Sequence, residues 1–136
     1  MITINDAFRK FLSEQEGSLK PETYLDYEDI LSLYEEFLDA YAEDYLPQED
    51  RALYEAQRKQ ENKTYCELFG PEHLGLHEIE DFLDDYLVEI GGGKKFIGTA
   101  SRVLLRYFEW ASEKGHIDQD VLERNSEALR KYKKRY

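Results

Sequence analysis

Four cations, Lys94, Lys95, Arg102 and Arg106, give this chain its best opening for chemistry. At 3.6 residues per turn, Lys95, Arg102 and Arg106 share one face of a helix. The two lysines fall at the N-terminus of that helix, where free backbone N–H groups already favour anions. Such an array suits phosphate oxygens, with binding that weakens as salt rises. The alternative is a solvated face balanced by acidic helices, with Arg106 paired to nearby Glu109.

The other constellations point away from catalysis. Gly91-Gly92-Gly93-Lys94 resembles a phosphate loop only superficially. That motif needs Gly-x4-Gly-Lys-Ser/Thr after a strand, whereas here a helical pattern precedes and Lys95 follows, so a flexible turn is expected. Cys66, His73 and His77 lack the tight Cys/His pairs of structural zinc. Cys66 reads instead as a small apolar filler beside Tyr65 and Phe69. No nucleophile, base and orienting group converge along the sequence, so no enzyme is expected, and no metal, cofactor or small-molecule substrate.

Carboxylates, among them Glu28, Glu35 and Asp39, crowd one side of the second helical pattern. Catalytic pairs need burial that separates their pKa values, and the Asp-x-Asp-x-Asp-Gly of a calcium loop is absent. They read as a solvated face, or as a surface for a basic partner that could mimic DNA electrostatically. Trp110 lies one step from the inward line of its helix, and so belongs either to the core edge or to a partner interface.

Charge along the chain is uneven. Residues 1–50 hold 14 acids and 3 bases, residues 51–93 hold 10 and 4, and residues 94–136 hold 6 and 11. The last third is therefore net +5 inside a chain of net charge -12. Its sign can attract nucleic acid where the rest repels it. A 14% aromatic content argues against disorder, and 136 residues suit a single domain spanning the chain. The lone cysteine, Cys66, allows no intrachain disulfide and suits a reducing cytoplasm. No apolar run approaches the roughly 18 residues of a membrane span, and no basic-then-apolar leader opens the chain. No membrane association is expected.

Helical spacing recurs throughout, while alternating strand patterns are nearly absent. A first helix is expected over 4–16, with Ile4, Ala7, Phe8, Phe11 and Leu12 inward, Thr3 as cap and Gly17 as stop. A second runs from Pro21 to about Tyr45, where Pro47 closes it. Its stripe of Tyr24, Tyr27, Leu31, Tyr34, Leu38, Tyr41 and Tyr45 reads mainly as core. Residues 48–70 are expected to form an acidic, polar and helical excursion exposed to solvent, with Ala52, Leu53 and Ala56 and later Tyr65, Leu68 and Phe69 as its apolar positions. A third helix over 77–90 turns Ile79, Phe82, Leu83, Tyr86, Leu87 and Ile90 inward. A fourth, 96–114, buries Ile97, Ala100, Val103, Leu104, Tyr107, Phe108 and Ala111. A fifth opens at the cap Asp118 and ends in a frayed basic tail over 130–136. Together these give an all-α bundle of four to five helices.

Two segments carry a family resemblance. Leu19-Lys20-Pro21-Glu22-Thr23, followed by Tyr27, Leu31, Tyr34, Phe37 and Leu38, is similar to the entry into the first long helix of the core-binding domain of tyrosine recombinases. Ile79, Phe82 and Leu83, then Leu104 to Trp110 and Glu113 to Asp118, resemble that domain's third and fourth helices and its exit. The resemblance covers about 80 residues and implies a SAM-like fold. It also implies a role in DNA binding during recombination or integration, by clamping duplex DNA through basic helix faces. The family's catalytic domain uses two Arg, a His-x-x-Arg segment and a nucleophilic Tyr. His73, His77 and His116 are not followed by Arg at that spacing, and 18 residues follow Asp118. The expectation is a free-standing, non-catalytic module that binds nucleic acid weakly or docks on a recombinase-like protein. The competing expectation is an acidic protein-interaction module that binds no nucleic acid.

Overall fold

The structure, a computed structural model, describes residues 2–135, with side chains as far as Tyr132. These residues form seven helices and no strand. The first, Ile4–Glu16 (α1), begins at Thr3, whose hydroxyl accepts the Asp6 N–H at 3.3 Å. Pro21–Tyr41 (α2) starts on its proline, where a missing N–H leaves nothing unsatisfied. Gln48–Glu61 (α3) ends at Asn62, which takes a left-handed φ of 55°. Tyr65–Leu68 (α4) is a single turn, and Glu67 accepts the Thr64 N–H in front of it at 3.0 Å. Residues 76–89 (α5) run as α-helix, π-helix and α-helix in succession. Lys94–Glu113 (α6) and Gln119–Arg135 (α7) complete the chain. Asp118 caps α7, its carboxylate accepting the Val121 N–H at 2.9 Å.

Aromatic rings bind these elements into one core. Phe8 of α1 meets Tyr107 of α6 edge-on, with centroids 4.9 Å apart, and Phe11 meets the same ring at 5.6 Å. Tyr34 of α2 stacks on Phe8 at 6.1 Å and touches Phe82 of α5 at 4.8 Å. Edge and offset contacts of this kind add about 0.5–1.5 kcal/mol each beyond the apolar area they bury. The expected inward faces of α1 and α6 are buried almost throughout. Two long-range hydrogen bonds tie α7 to the bundle. Asn125 Nδ2 donates to the Leu74 carbonyl at 3.1 Å, and the Tyr132 hydroxyl donates to Asp84 at 2.6 Å.

Several expected boundaries shift. The second helix leaves α geometry at Tyr41, and Ala42–Tyr45 tightens into a 3-10 turn. That turn brings the Tyr45 hydroxyl onto Asp81, to which it donates a hydrogen bond. The excursion over 48–70 is not wholly solvent-exposed. Ala52, Leu53 and Ala56 do point outward, but Tyr54 is buried against Tyr65 and Phe69. The reason is a second aromatic cluster, with α4 docked on α1 by an Ile4 N–H to Phe69 carbonyl bond of 2.8 Å. Ile90 is 51% exposed rather than inward, because the helix has ended and the chain is already turning into Gly91. Tyr41, in the stripe read as core, is 47% exposed. The basic tail continues the helix to Arg135, with Arg130 and Lys131 exposed. Tyr136 and the side chains of Lys133, Lys134 and Arg135 lie outside the described residues.

The two central tyrosines carry a cost. The hydroxyls of Tyr34 and Tyr107 are buried and find no hydrogen-bond partner among the described residues. A buried polar atom left unmatched costs on the order of 1–3 kcal/mol. Tyr107→Phe, which keeps the ring contacts and removes that atom, is expected to stabilise the protein by about 1 kcal/mol in urea unfolding. A loss of stability would show that the hydroxyl is bonded in solution.

Candidate nucleic-acid interface and acidic surface

The cationic strip begins at a helix start. Gly91 takes a φ of +91°, and at Gly92 an added Cβ would lie 2.7 Å from the Leu87 carbonyl oxygen. The glycines thus serve a tight turn after α5. Helix α6 opens directly behind it, with Lys94 and Lys95 as its first two residues. No acid occupies this first turn. Cations there oppose the helix dipole, at about 0.3–1 kcal/mol each when exposed at low salt. Further along, Thr99 donates to the Lys95 carbonyl at 3.0 Å, and Arg102 Nη2 donates to the Thr99 hydroxyl at 3.1 Å. Arg106 lies 3.7 Å from Glu109, both largely exposed, so this pair is easily broken by a stronger anion. Lys94, Lys95 and Arg102 have no ion pair among the described residues.

The acidic candidates divide by role. Glu28 is exposed. Asp39 is engaged by the fold, because its carboxylate accepts the Cys66 N–H at 3.0 Å and so anchors α4 on α2. Glu35 is half-buried beside it. Burial raises the Glu35 carboxyl above its ordinary value, Asp39 and Glu67 add to that, and Arg9 opposes it. Glu28 and Glu35 line a shallow groove against α1 with Arg9 across from them.

Trp110 belongs to the core edge and not to an open surface. It is 6% exposed and packs on Phe11 with centroids 5.6 Å apart. Its indole N–H donates to Glu14 at 3.0 Å, and Lys114 reaches the same carboxylate at 3.3 Å. The indole hydrogen bond chiefly holds the Glu14 carboxyl below its usual range, with Lys114 assisting and partial burial opposing. This triad links α1 to the end of α6.

Cys66 is buried and its thiol is pushed far up, by burial first and then by Asp39, which leaves it unreactive. His73 packs edge-on against Phe69, with ring centroids 5.0 Å apart, beside Glu72. Among the described residues no three metal-ligating side chains converge. No helix among them is long and apolar enough to cross a membrane.

One cleft was not anticipated from the sequence. Phe37, Tyr41, Asp44 and Tyr45 from α2 and its 3-10 turn face Asp81, Asp85, Tyr86 and Glu89 of α5. Its signal was legible in hindsight: Asp81, Asp85 and Glu89 recur every four residues, as do Phe37, Tyr41 and Tyr45. What the sequence could not supply was that these two ridges meet.

The Glu35 shift sets a pH dependence. A carboxyl raised in the folded state favours folding once protonated, so its contribution is complete below the ordinary 4.5 and is lost as pH rises through the raised value. Glu35→Gln imitates the protonated form. It is expected to raise Tm at pH 7 by roughly 1–3 °C, a screened and half-exposed effect. The gain should disappear below pH 4.5 in paired thermal melts. An equal gain at both pH values would contradict this account of Glu35.

No protein-family model matches the chain, and neither the curated proteins nor the solved structures contain a match to it.

Proposed function

We propose that this chain is a non-catalytic binding module with a SAM-like fold, of the tyrosine-recombinase core-binding kind, acting in the cytoplasm. It touches duplex DNA weakly through Lys94, Lys95, Arg102 and Arg106, or meets a recombinase-like protein there. The observation that carries the reading is the composition of the α6 N-terminus. Two lysines at the positive end of a helix dipole, with no acid in that turn, are unfavourable until an anion arrives. Support also comes from α7, which packs along α6 and adds exposed Arg130 and Lys131 to the same end of the sequence.

A second reading is an acidic protein-interaction module that binds no nucleic acid. It is favoured by the aromatic and acidic cleft between α2 and α5.

Fluorescence anisotropy with labelled duplex DNA separates these readings. With three to four phosphate contacts, affinity should fall roughly 40- to 150-fold between 50 and 200 mM salt. Lys95→Glu/Arg106→Glu is expected to abolish the signal. Lys94→Gln/Lys95→Gln should weaken binding while keeping or raising Tm, since it relieves the unfavourable helix start. No signal from the unmodified protein at low salt would leave the acidic-module reading in its place.

A further inference from the structure

The cleft between α2 and α5 combines two features that select the same chemistry. The first is aromatic. The rings of Phe37, Tyr41 and Tyr86 stand 5.4–6.3 Å apart and tilt 42–67° to one another, with Phe37 buried and Tyr41 and Tyr86 left partly open to solvent. Tyr45 adds a fourth ring at the wall, fixed by its hydrogen bond to Asp81. The second feature is charge. Asp44, Asp81, Asp85 and Glu89 all line the cleft, and no lysine or arginine does. Asp44 is paired with Arg51 at 3.0 Å. Asp81, Asp85 and Glu89 have no ion pair among the described residues.

Ring faces carry negative quadrupoles and attract cations, most strongly where solvent is partly excluded. Carboxylates around the rim raise the local concentration of the same species. A hard metal ion is a poor fit, because the carboxylates do not converge into a ligand set. An organic cation suits both features. Size then narrows the choice. The cleft is open to solvent and offers about 240 Å³, below the roughly 300–1,000 Å³ of pockets for drug-sized ligands. It has room for one small cationic group. At the same end of α5, Val88 and Ile90 are 52% and 51% exposed, and they offer apolar contact to whatever chain carries that side chain.

We propose that this cleft receives the cationic head of a lysine or arginine on a basic protein segment. The proposal rests on the protein-binding part of the acidic-module reading, not on its exclusion of nucleic acid, and gives that part a site. It shares no residue with the α6 strip, so DNA binding can hold or fail without affecting it.

The test is a titration of the isotope-labelled protein with a hexalysine peptide at 100 mM salt, followed by NMR and by anisotropy of labelled peptide. Saturable shifts concentrated at Tyr41, Tyr45, Asp85 and Glu89 are expected. Tyr41→Ala and Asp85→Asn should each weaken binding about fivefold. Tyr41 is half-exposed and Asp85→Asn is isosteric, so the second variant carries the test if the first disturbs Phe37. Unchanged affinity in Asp85→Asn, with shifts spread over Glu28 and the outer face of α2, would overturn the cleft and leave the acidic reading standing. No binding of the peptide at all would overturn both. Tighter binding of choline than of the peptide would overturn the assignment to a protein side chain.

Discussion

Edge-on contact of Phe8 and Phe11 with Tyr107 is the interaction on which the rest of the molecule depends. It joins α1, the first helix of the chain, to α6, nearly a hundred residues later. Through Phe8 it reaches Tyr34 of α2, and through Tyr34 it reaches Phe82 of α5. Four helices are thus registered by one chain of rings. The rings are retained for their shape, since the hydroxyls of Tyr34 and Tyr107 bond to no described group. Their burial pushes both phenols far above their ordinary range and keeps them neutral at any physiological pH.

With so much ring area turned inward, most charged side chains are left to the outer walls, with Glu78 a buried exception, and on parts of those walls one sign predominates. α2 turns Glu28 outward and spends Asp39 on holding α4. α5 presents Asp81, Asp85 and Glu89 to the cleft. α6 keeps its cations along one strip, from the helix start to Arg106. Repulsion among like charges favours compact partners of opposite sign on each wall. The same aromatic surplus that builds the core spills over at the end of α2. There Tyr41 no longer has a helix above it and becomes a wall of the cleft. Core and candidate site are therefore continuous, and Phe37 belongs to both.

How much of this could be read from the sequence follows the range of the forces involved. The bounds of α1 and the Asp118 cap were legible because apolar spacing and capping are local. The cationic strip was legible for the same reason, although α6 starts at Lys94 and not at the expected Phe96. The π-helical stretch Phe82–Tyr86 and the 3-10 turn Ala42–Tyr45 leave no local mark. They are set by what packs across from them, and the Tyr45–Asp81 bond joins one to the turn preceding the other. Trp110 could be narrowed to two fates but not decided, because its partner Glu14 lies 96 residues away. Tyr54 escaped notice for a related reason. An isolated ring in a polar run looks exposed until Tyr65 and Phe69 fold back to cover it.

A double-mutant cycle across Phe8 and Tyr107 tests this account most directly. Phe8→Leu, Tyr107→Leu and the pair would be compared by urea unfolding. The ring contact predicts a coupling energy of about 0.5–1.5 kcal/mol. Strictly additive losses would contradict it, because they would mean that α1 and α6 are held by burial alone and not by the contact between these rings.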